Sequence, residues 1–320
     1  MKLGIIGTGK IVEEALPVLQ ANEKIQLFGI CAFSNKEKAH MLARVYNINK
    51  VYDHYEEMIT SDDIDFVYVA VVNSAHFAYA LKALESHKHV ILEKPFTTCY
   101  RDATTLIHAA TQRGAYLFDA TTLFFTPTYE FILKSLPLIG QPCIVNANYS
   151  QRSSRYDRYI QGDIAPAFST ELEGGALLDI NIYNISLTVG LFGLPTSATY
   201  FARKGYNGID TSGVAVLSYP SLVATCVGTK DSDSPAYAYI QGDRGRIEVE
   251  GRPSELRKVR LVTTDGVKEM SLDTRHRMSY EFETIASIYH EHRYAEMTRR
   301  LDTTRQVIQT LDMLNAQKRI

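Results

Sequence analysis

The stretch "EGGALLDINIYNISL", Glu173 to Leu187, sets a carboxylate at Asp179, amides at Asn181 and Asn184 and a phenol at Tyr183 into an apolar segment with helical spacing. On a helix Asp179 and Tyr183 are i and i+4 and project from one face. Such a face is either the wall of a pocket or a costly burial, because a buried polar group must find a partner. A further candidate is Lys94 in "ILEKPFTT": a lysine buried near a strand end needs a partner, and Pro95 restricts the backbone before it. A carboxylate, a phenol and an ammonium are groups that hold and move protons.

A second kind of chemistry is written in "GIIGTGKIVEEAL", where Gly7 and Gly9 stand between an apolar strand and a helix. Gly7 allows the tight turn and Gly9 lets the backbone approach a pyrophosphate, which then sits on the helix N-terminus formed by Thr8, Lys10 and Ile11. Val12 occupies the place where a third glycine or alanine is usual, so the fingerprint is partial. At the end of the second strand, "GICAFSNKEK", Ala32, Phe33, Ser34 and Asn35 offer no carboxylate to a ribose 2′-hydroxyl, and Lys36 follows within reach of a phosphate. This favours NADP over NAD, although Lys36 reads equally well as a solvated helix-start residue.

The elements that must position these groups follow from hydrophobic period. "KLGII", "IQLFGICA", "DFVYVAVV" and "KHVILEK" read as strands alternating with helices at "VEEALPVLQ", "KEKAHMLARVY" and "AHFAYALKALES". A helix at "CYRDATTLIHAATQRG" and a strand at "AYLFDATT" complete an α/β domain with a doubly wound parallel sheet over residues 1–120. In such a sheet ligands bind beyond the carboxyl ends of the strands, which puts Asn73, His76, Glu93, Lys94 and Pro95 at the cofactor edge. His76 alone also reads as a helix-start histidine without a chemical role. Over residues 121–320 successive strands with few helices imply an α+β domain with an open, mostly antiparallel sheet. A closing helix is expected at "LDTTRQVIQTLDMLNAQKRI", capped by Thr303 and Gln306, with Val307, Ile308, Leu311 and Leu314 as its apolar stripe.

At 320 residues two domains are the default, and a formal charge of -2 without basic runs disfavours nucleic acid and membrane surfaces as partners. The four cysteines are scattered with no ligand spacing, so neither a structural metal nor a disulfide framework is expected. "MKLGIIGTGK" is too short and glycine-rich for a signal peptide, and no apolar run is long enough to span a bilayer, so a cytoplasmic protein is expected. Arg152, Arg155, Tyr156 and Tyr159 in "NYSQRSSRYDRYIQGD" could bind a hydroxylated or acidic substrate or form a solvated loop.

Taken in order, "GIIGTGKI", "VNSAH", "EKP" and "GGALLDINIYNI" resemble the Gfo/Idh/MocA oxidoreductases over essentially the whole chain, closest to the dihydrodiol dehydrogenase and glucose-fructose oxidoreductase branch. The resemblance implies an NAD(P)-binding Rossmann domain followed by a substrate-binding domain whose sheet often forms a homo-oligomer interface. It further implies hydride transfer between a secondary alcohol and a ketone on a sugar, polyol or diol. By the same resemblance Lys94 lies beside nicotinamide and substrate, Asp179 holds the substrate and Tyr183 moves the proton. An unperturbed tyrosine, with a pKa of about 10, is a poor base at neutral pH, and a neighbouring ammonium would lower that value. The sequence departs from its relatives at Val12, at Val72 before the asparagine, and before Pro127, where many carry an arginine. The competing expectation is a nucleotide-binding regulator that has lost catalysis, for which Lys94, Asp179 and Tyr183 together would be superfluous.

Overall fold

The computed structural model describes residues 1–317. Six short apolar runs, β1 (Lys2–Ile6), β2 (Gln26–Cys31), β3 (Lys50–Tyr52), β4 (Phe66–Val69), β5 (His89–Leu92) and β6 (Leu117–Asp119), form one parallel sheet in the order β3-β2-β1-β4-β5-β6. Strand residues such as Ile5, Ile6, Val67 and Ile91 are fully buried, as expected of a parallel sheet covered on both faces. The covering helices are α1 (Lys10–Gln20), α2 (Lys36–Val45), α3 (Tyr55–Thr60), α4 (His76–Glu85) and α5 (Tyr100–Arg113). The order reverses between β1 and β4, so the Gly7 turn lies at the switch point where dinucleotides bind. Val12, the departure from a small residue, is fully buried in the apolar stripe of α1 with Ala15, Leu16 and Leu19. β3 and α3 were not expected, being too short to carry a periodic signal.

The rest of the chain adds α6 (Pro127–Ser135), β7 (Pro142–Ser150), α7 (Tyr156–Ile160), α8 (Ile182–Phe192), β8 (Ser197–Lys204), β9 (Asp210–Ser218), β10 (Val223–Thr229), β11 (Tyr237–Gly242), β12 (Gly245–Glu250), β13 (Lys258–Thr263) and β14 (Gly266–Ser271). They build an eight-stranded sheet in the order β14-β13-β12-β11-β7-β10-β9-β8, parallel between β7 and β10 and antiparallel elsewhere. One face is buried by α8, whose residues Ile182–Val189 are all buried. Contact requires a groove, which Gly228 on β10 supplies: a Cβ there would lie 2.4 Å from the Cβ of Asn181. The edge strand β14 escaped the sequence reading because almost all of it is exposed and its residues do not alternate.

Two helices close the chain, α9 (Arg277–His290) and α10 (Tyr294–Gln317). The molecule divides into two compact units, Met1–Ala120 with Met278–Arg305, and Thr121–Arg277 with the chain from Gln306. The division expected at residue 120 is therefore amended, because α9 and the first part of α10 return to the parallel-sheet unit. Aromatic packing holds them there, Phe282 edge-on to Tyr68 at 5.7 Å and Tyr289 edge-on to Phe66 at 4.9 Å. Thr304 Oγ1 also donates to Asp119 Oδ2 at 3.1 Å. The helix start expected at Thr303 is overtaken as well: α10 begins at Tyr294, and the Glu296–Arg300 i,i+4 ion pair supports its earlier turns. Val307, Ile308, Leu311 and Leu314 are buried as the stripe implied; positions 318–320 of that expected helix lie outside the described residues.

Candidate active site

The nucleotide turn is built by backbone proximity. Gly7 has φ +117°, its N–H donates to Cys31 O at 2.9 Å, and a Cβ would lie 2.1 Å from Ala70 O, so only glycine lets β1 end beside β4. Gly9 differs: its backbone is ordinary extended chain, and a Cβ would meet nothing within 4 Å. It caps α1 without any side-chain hydrogen bond, and the first-turn amides of Lys10 and Ile11 have no partner within the helix. An open cradle at an uncapped helix N-terminus fits a dinucleotide pyrophosphate, with Gly7, Thr8, Gly9, Lys10 and Ile11 to hold it.

At the end of β2, Ser34 is exposed and Asn35 caps α2 by accepting from the Lys38 amide at 2.9 Å. Lys36 Nζ is 2.8 Å from Asp53 Oδ1, and the two exposed groups hold each other charged, the lysine pKa raised and the carboxyl lowered. Asp53 follows β3, the strand that hydrophobic period did not reveal, which is why sequence reasoning missed it.

Beyond β4 and β5, Asn73 opens a single 3₁₀ turn, Asn73–Ala75, and the Lys94–Pro95 peptide is cis. Glu93 and His76, expected at the cofactor edge, have their side chains committed inwards. Tyr68 Oη donates to Glu93 Oε1 at 2.5 Å and the Lys94 amide to Oε2 at 3.2 Å. The His76 ring, 1% exposed, lies 2.7 Å from Pro95 O through Nδ1 and 3.2 Å from Val71 O through Nε2. A neutral imidazole donates once, and the shorter contact assigns its proton to Nδ1. Both residues thus brace the backbone that carries the half-buried Lys94.

In the second unit the expected regular helix opens with a π turn, Leu177–Asn181, ahead of α8. Such wide turns recur at functional sites. Asn181 donates to Cys226 O at 2.9 Å and Asn184 to Val227 O at 2.8 Å, so these amides anchor the helix to β10. Tyr183 is 8% exposed, and its ring lies 5.9 Å from that of Tyr149 on β7. Asp179 Oδ2 is 2.7 Å from Nζ of Lys230, a residue that sequence reasoning did not select. Arg152, Arg158 and Arg203 are paired with Asp157, Asp163 and Asp231, while Tyr159 is buried in a stack with Phe168 and Tyr206.

Comparison with known proteins accords with this geometry. Residues 1–120 match the oxidoreductase family with an NAD-binding Rossmann fold, and residues 138–248 match the GFO/IDH/MocA C-terminal domain. The chain belongs to the Gfo/Idh/MocA family. It is 32% identical to the scyllo-inositol 2-dehydrogenase (NADP(+)) IolU of Bacillus subtilis, over 92% of this chain and 89% of the relative. To the trans-1,2-dihydrobenzene-1,2-diol dehydrogenase of Xenopus tropicalis it is 30% identical, over 86% and 82%. The fold matches the 3-ketoreductase KijD10 of Actinomadura kijaniata, solved with NADP and TDP-benzene, at a TM-score of 0.85, 22% identity and coverage of 99% and 97%. As a Gfo/Idh/MocA oxidoreductase, the protein uses a nicotinamide dinucleotide and acts on CH–OH groups.

For this family member the two glycines should fail differently. Gly7→Ala should destabilise the fold, whereas Gly9→Leu should leave the melting temperature near wild type and abolish dinucleotide binding in a fluorescence titration. His76 gives a pH signature. Burial, outweighing its two carbonyl partners, lowers its pKa from 6.5 to about 4. The unfolded chain then binds the extra proton first, so the contribution is complete above pH 6.5 and lost as pH falls towards about 4. Urea denaturation should show up to about 3 kcal/mol less stability across that window, and His76→Gln should remove this part of the slope.

Proposed function

We propose that the protein interconverts a secondary alcohol and a ketone on a neutral sugar, polyol or diol, with NADP as preferred cofactor and Tyr183 as the proton-transfer residue. The observation that carries this reading is the carboxylate of Asp179, 37% exposed and fixed by a buried cation, one turn ahead of the Tyr183 phenol. A fixed carboxylate accepts hydrogen bonds from substrate hydroxyls. Arg152, Arg158 and Arg203 are committed to local carboxylates, which leaves them less positive charge to offer an anionic substrate, while Arg155 is exposed. The relatives named for scyllo-inositol and a dihydrodiol point to the same class.

Bound nicotinamide supplies the hydride acceptor or donor. Oxidation also requires the hydroxyl proton to leave, and reduction requires one to arrive. Tyr183 takes or gives that proton, Asp179 orients the substrate, and Lys94 is the ammonium proposed to act beside the nicotinamide. Asn73 and the Gly7–Ile11 turn hold the dinucleotide, and Ser34 and Lys36 meet its 2′-phosphate. A homo-oligomer is part of the proposal, supported by Ile144, Phe201, Val223 and Tyr239, all exposed on the outer face of the eight-stranded sheet. So is a cytoplasmic setting, supported by four free cysteines. No helix among the described residues is long and apolar enough to cross a membrane.

Cofactor titrations at one ionic strength should show NADP bound more tightly than NAD. Asp53→Asn, by releasing Lys36, should tighten NADP and leave NAD unchanged; tighter NAD binding by the wild type would refute the preference. Turnover is tested with a panel of inositols, sugars and aromatic diols, followed by absorbance of the reduced nicotinamide. On the compound that reacts, Tyr183→Phe should retain cofactor affinity and lower kcat by about 10²- to 10⁴-fold. Lys94→Ala should cost at least as much, with a double variant far from additive. A structural tyrosine would instead lose about 1 kcal/mol of stability and little turnover.

A further inference from the structure

Lys230 follows directly on β10, and its side chain is only 3% exposed. Its backbone is tied on both sides, its N–H donating to Thr211 O at 2.8 Å and its carbonyl accepting from Ser153 N at 2.9 Å. The ammonium donates to Ala167 O at 2.6 Å, meets Asp179 Oδ2 at 2.7 Å and stands 4.4 Å from the centroid of the Phe168 ring. A lysine this deep stays charged only where a counter-charge and donor sites are supplied together.

The turn that presents Ala167 and Phe168 is itself braced. Phe168 stacks on Tyr159 at 4.7 Å, and Phe168 O accepts from Asn207 Nδ2 at 2.9 Å. Gly174, ahead of the π turn, allows the approach, since a Cβ there would fall 2.7 Å from the Ala167 carbonyl carbon. Gly175, at φ +104°, packs against Asp210, which accepts from the Leu177 amide at 2.7 Å. The ammonium is thus held by rigid backbone on one side and presents its charge to Asp179 on the other.

We propose that Lys230 is a positioning residue: its buried ammonium fixes the Asp179 carboxylate and ties it to the Ala167–Phe168 turn, so that substrate meets a preset acceptor. The proposal rests on the reading of Asp179 as the substrate-orienting group. It predicts a KM effect rather than a kcat effect, because Lys230 acts through Asp179 and not on the reacting atoms.

Lys230→Met keeps the aliphatic stem and removes the charge. Its dinucleotide affinity should be unchanged, its KM raised by roughly 10- to 100-fold and its kcat nearly retained. In an Asp179→Asn background the same substitution should add little. Lys230→Arg, which keeps the charge, should recover part of the KM. Melting temperatures give a second cycle that needs no substrate. Each single variant leaves one charge without its partner and should melt low, and the double variant should melt above both. If Lys230→Met alone does not fold, rescue by Asp179→Asn supports the pair and absence of rescue overturns it. Additive losses in either cycle, or a wild-type KM in Lys230→Met, also overturn it. Failure of the wild type to turn over any panel compound would instead fail the proposed substrate class, with the melting cycle still deciding the pair.

Discussion

The ion pair between Lys230 and Asp179 is the constraint around which the second unit is arranged. A buried ammonium must be met where it lies, because leaving it unpaired costs several kcal/mol and removing one partner alone is worse than removing both. Meeting it demands that three backbone segments come closer than side chains normally permit. Gly174 admits the Ala167 turn, Gly228 admits Asn181, and Gly175 adopts a left-handed conformation against Asp210. The asparagines then replace apolar packing by hydrogen bonds to β10 carbonyls, fixing the rotation of the helix as well as its distance. The result is a half-exposed carboxylate whose direction is set by the fold rather than by solvent.

The parallel-sheet unit solves a different problem with the same means. A dinucleotide pyrophosphate is met by backbone amides at a helix end, and the fold delivers such an end with an empty space above Gly9. Gly7 is required by the contact with Ala70 O, whereas a Cβ at Gly9 would meet nothing within 4 Å. The loop carrying Lys94 is made rigid from behind: Glu93 binds Tyr68 and the Lys94 amide, and His76 binds Pro95 O. Burial makes that histidine a neutral donor near pH 7, which suits a bracing role better than acid–base chemistry.

Much of this was legible in the residues. Strand-to-helix alternation gave the doubly wound sheet, and the glycine spacing located the tight turn between β1 and α1. Two of the differences between expectation and structure share a cause. Glu93 and His76 sit at the strand ends as expected, but which way a side chain turns depends on Tyr68 and Pro95, distant neighbours in the chain. The placement of α9 and early α10 with the first unit depends likewise on Phe282 and Tyr289 finding Tyr68 and Phe66. Asp53 was hidden behind a three-residue strand, β3.

Lys230 marks the boundary between the two kinds of information. Alternation along β10 buries Ala224, Cys226 and Gly228 and carries the same inward phase to residue 230, so local period already announces a buried lysine. The sequence by itself therefore determined the type of the longer periodic elements, strand phase, the glycine turn after β1 and the chemical groups available, because these depend on neighbours within a few residues. Only the tertiary structure decided that Asp179 answers Lys230 and that Asp53 answers Lys36. Those pairings join residues far apart in the chain, and electrostatic and steric complementarity operate over ångströms in space, whatever the separation in sequence.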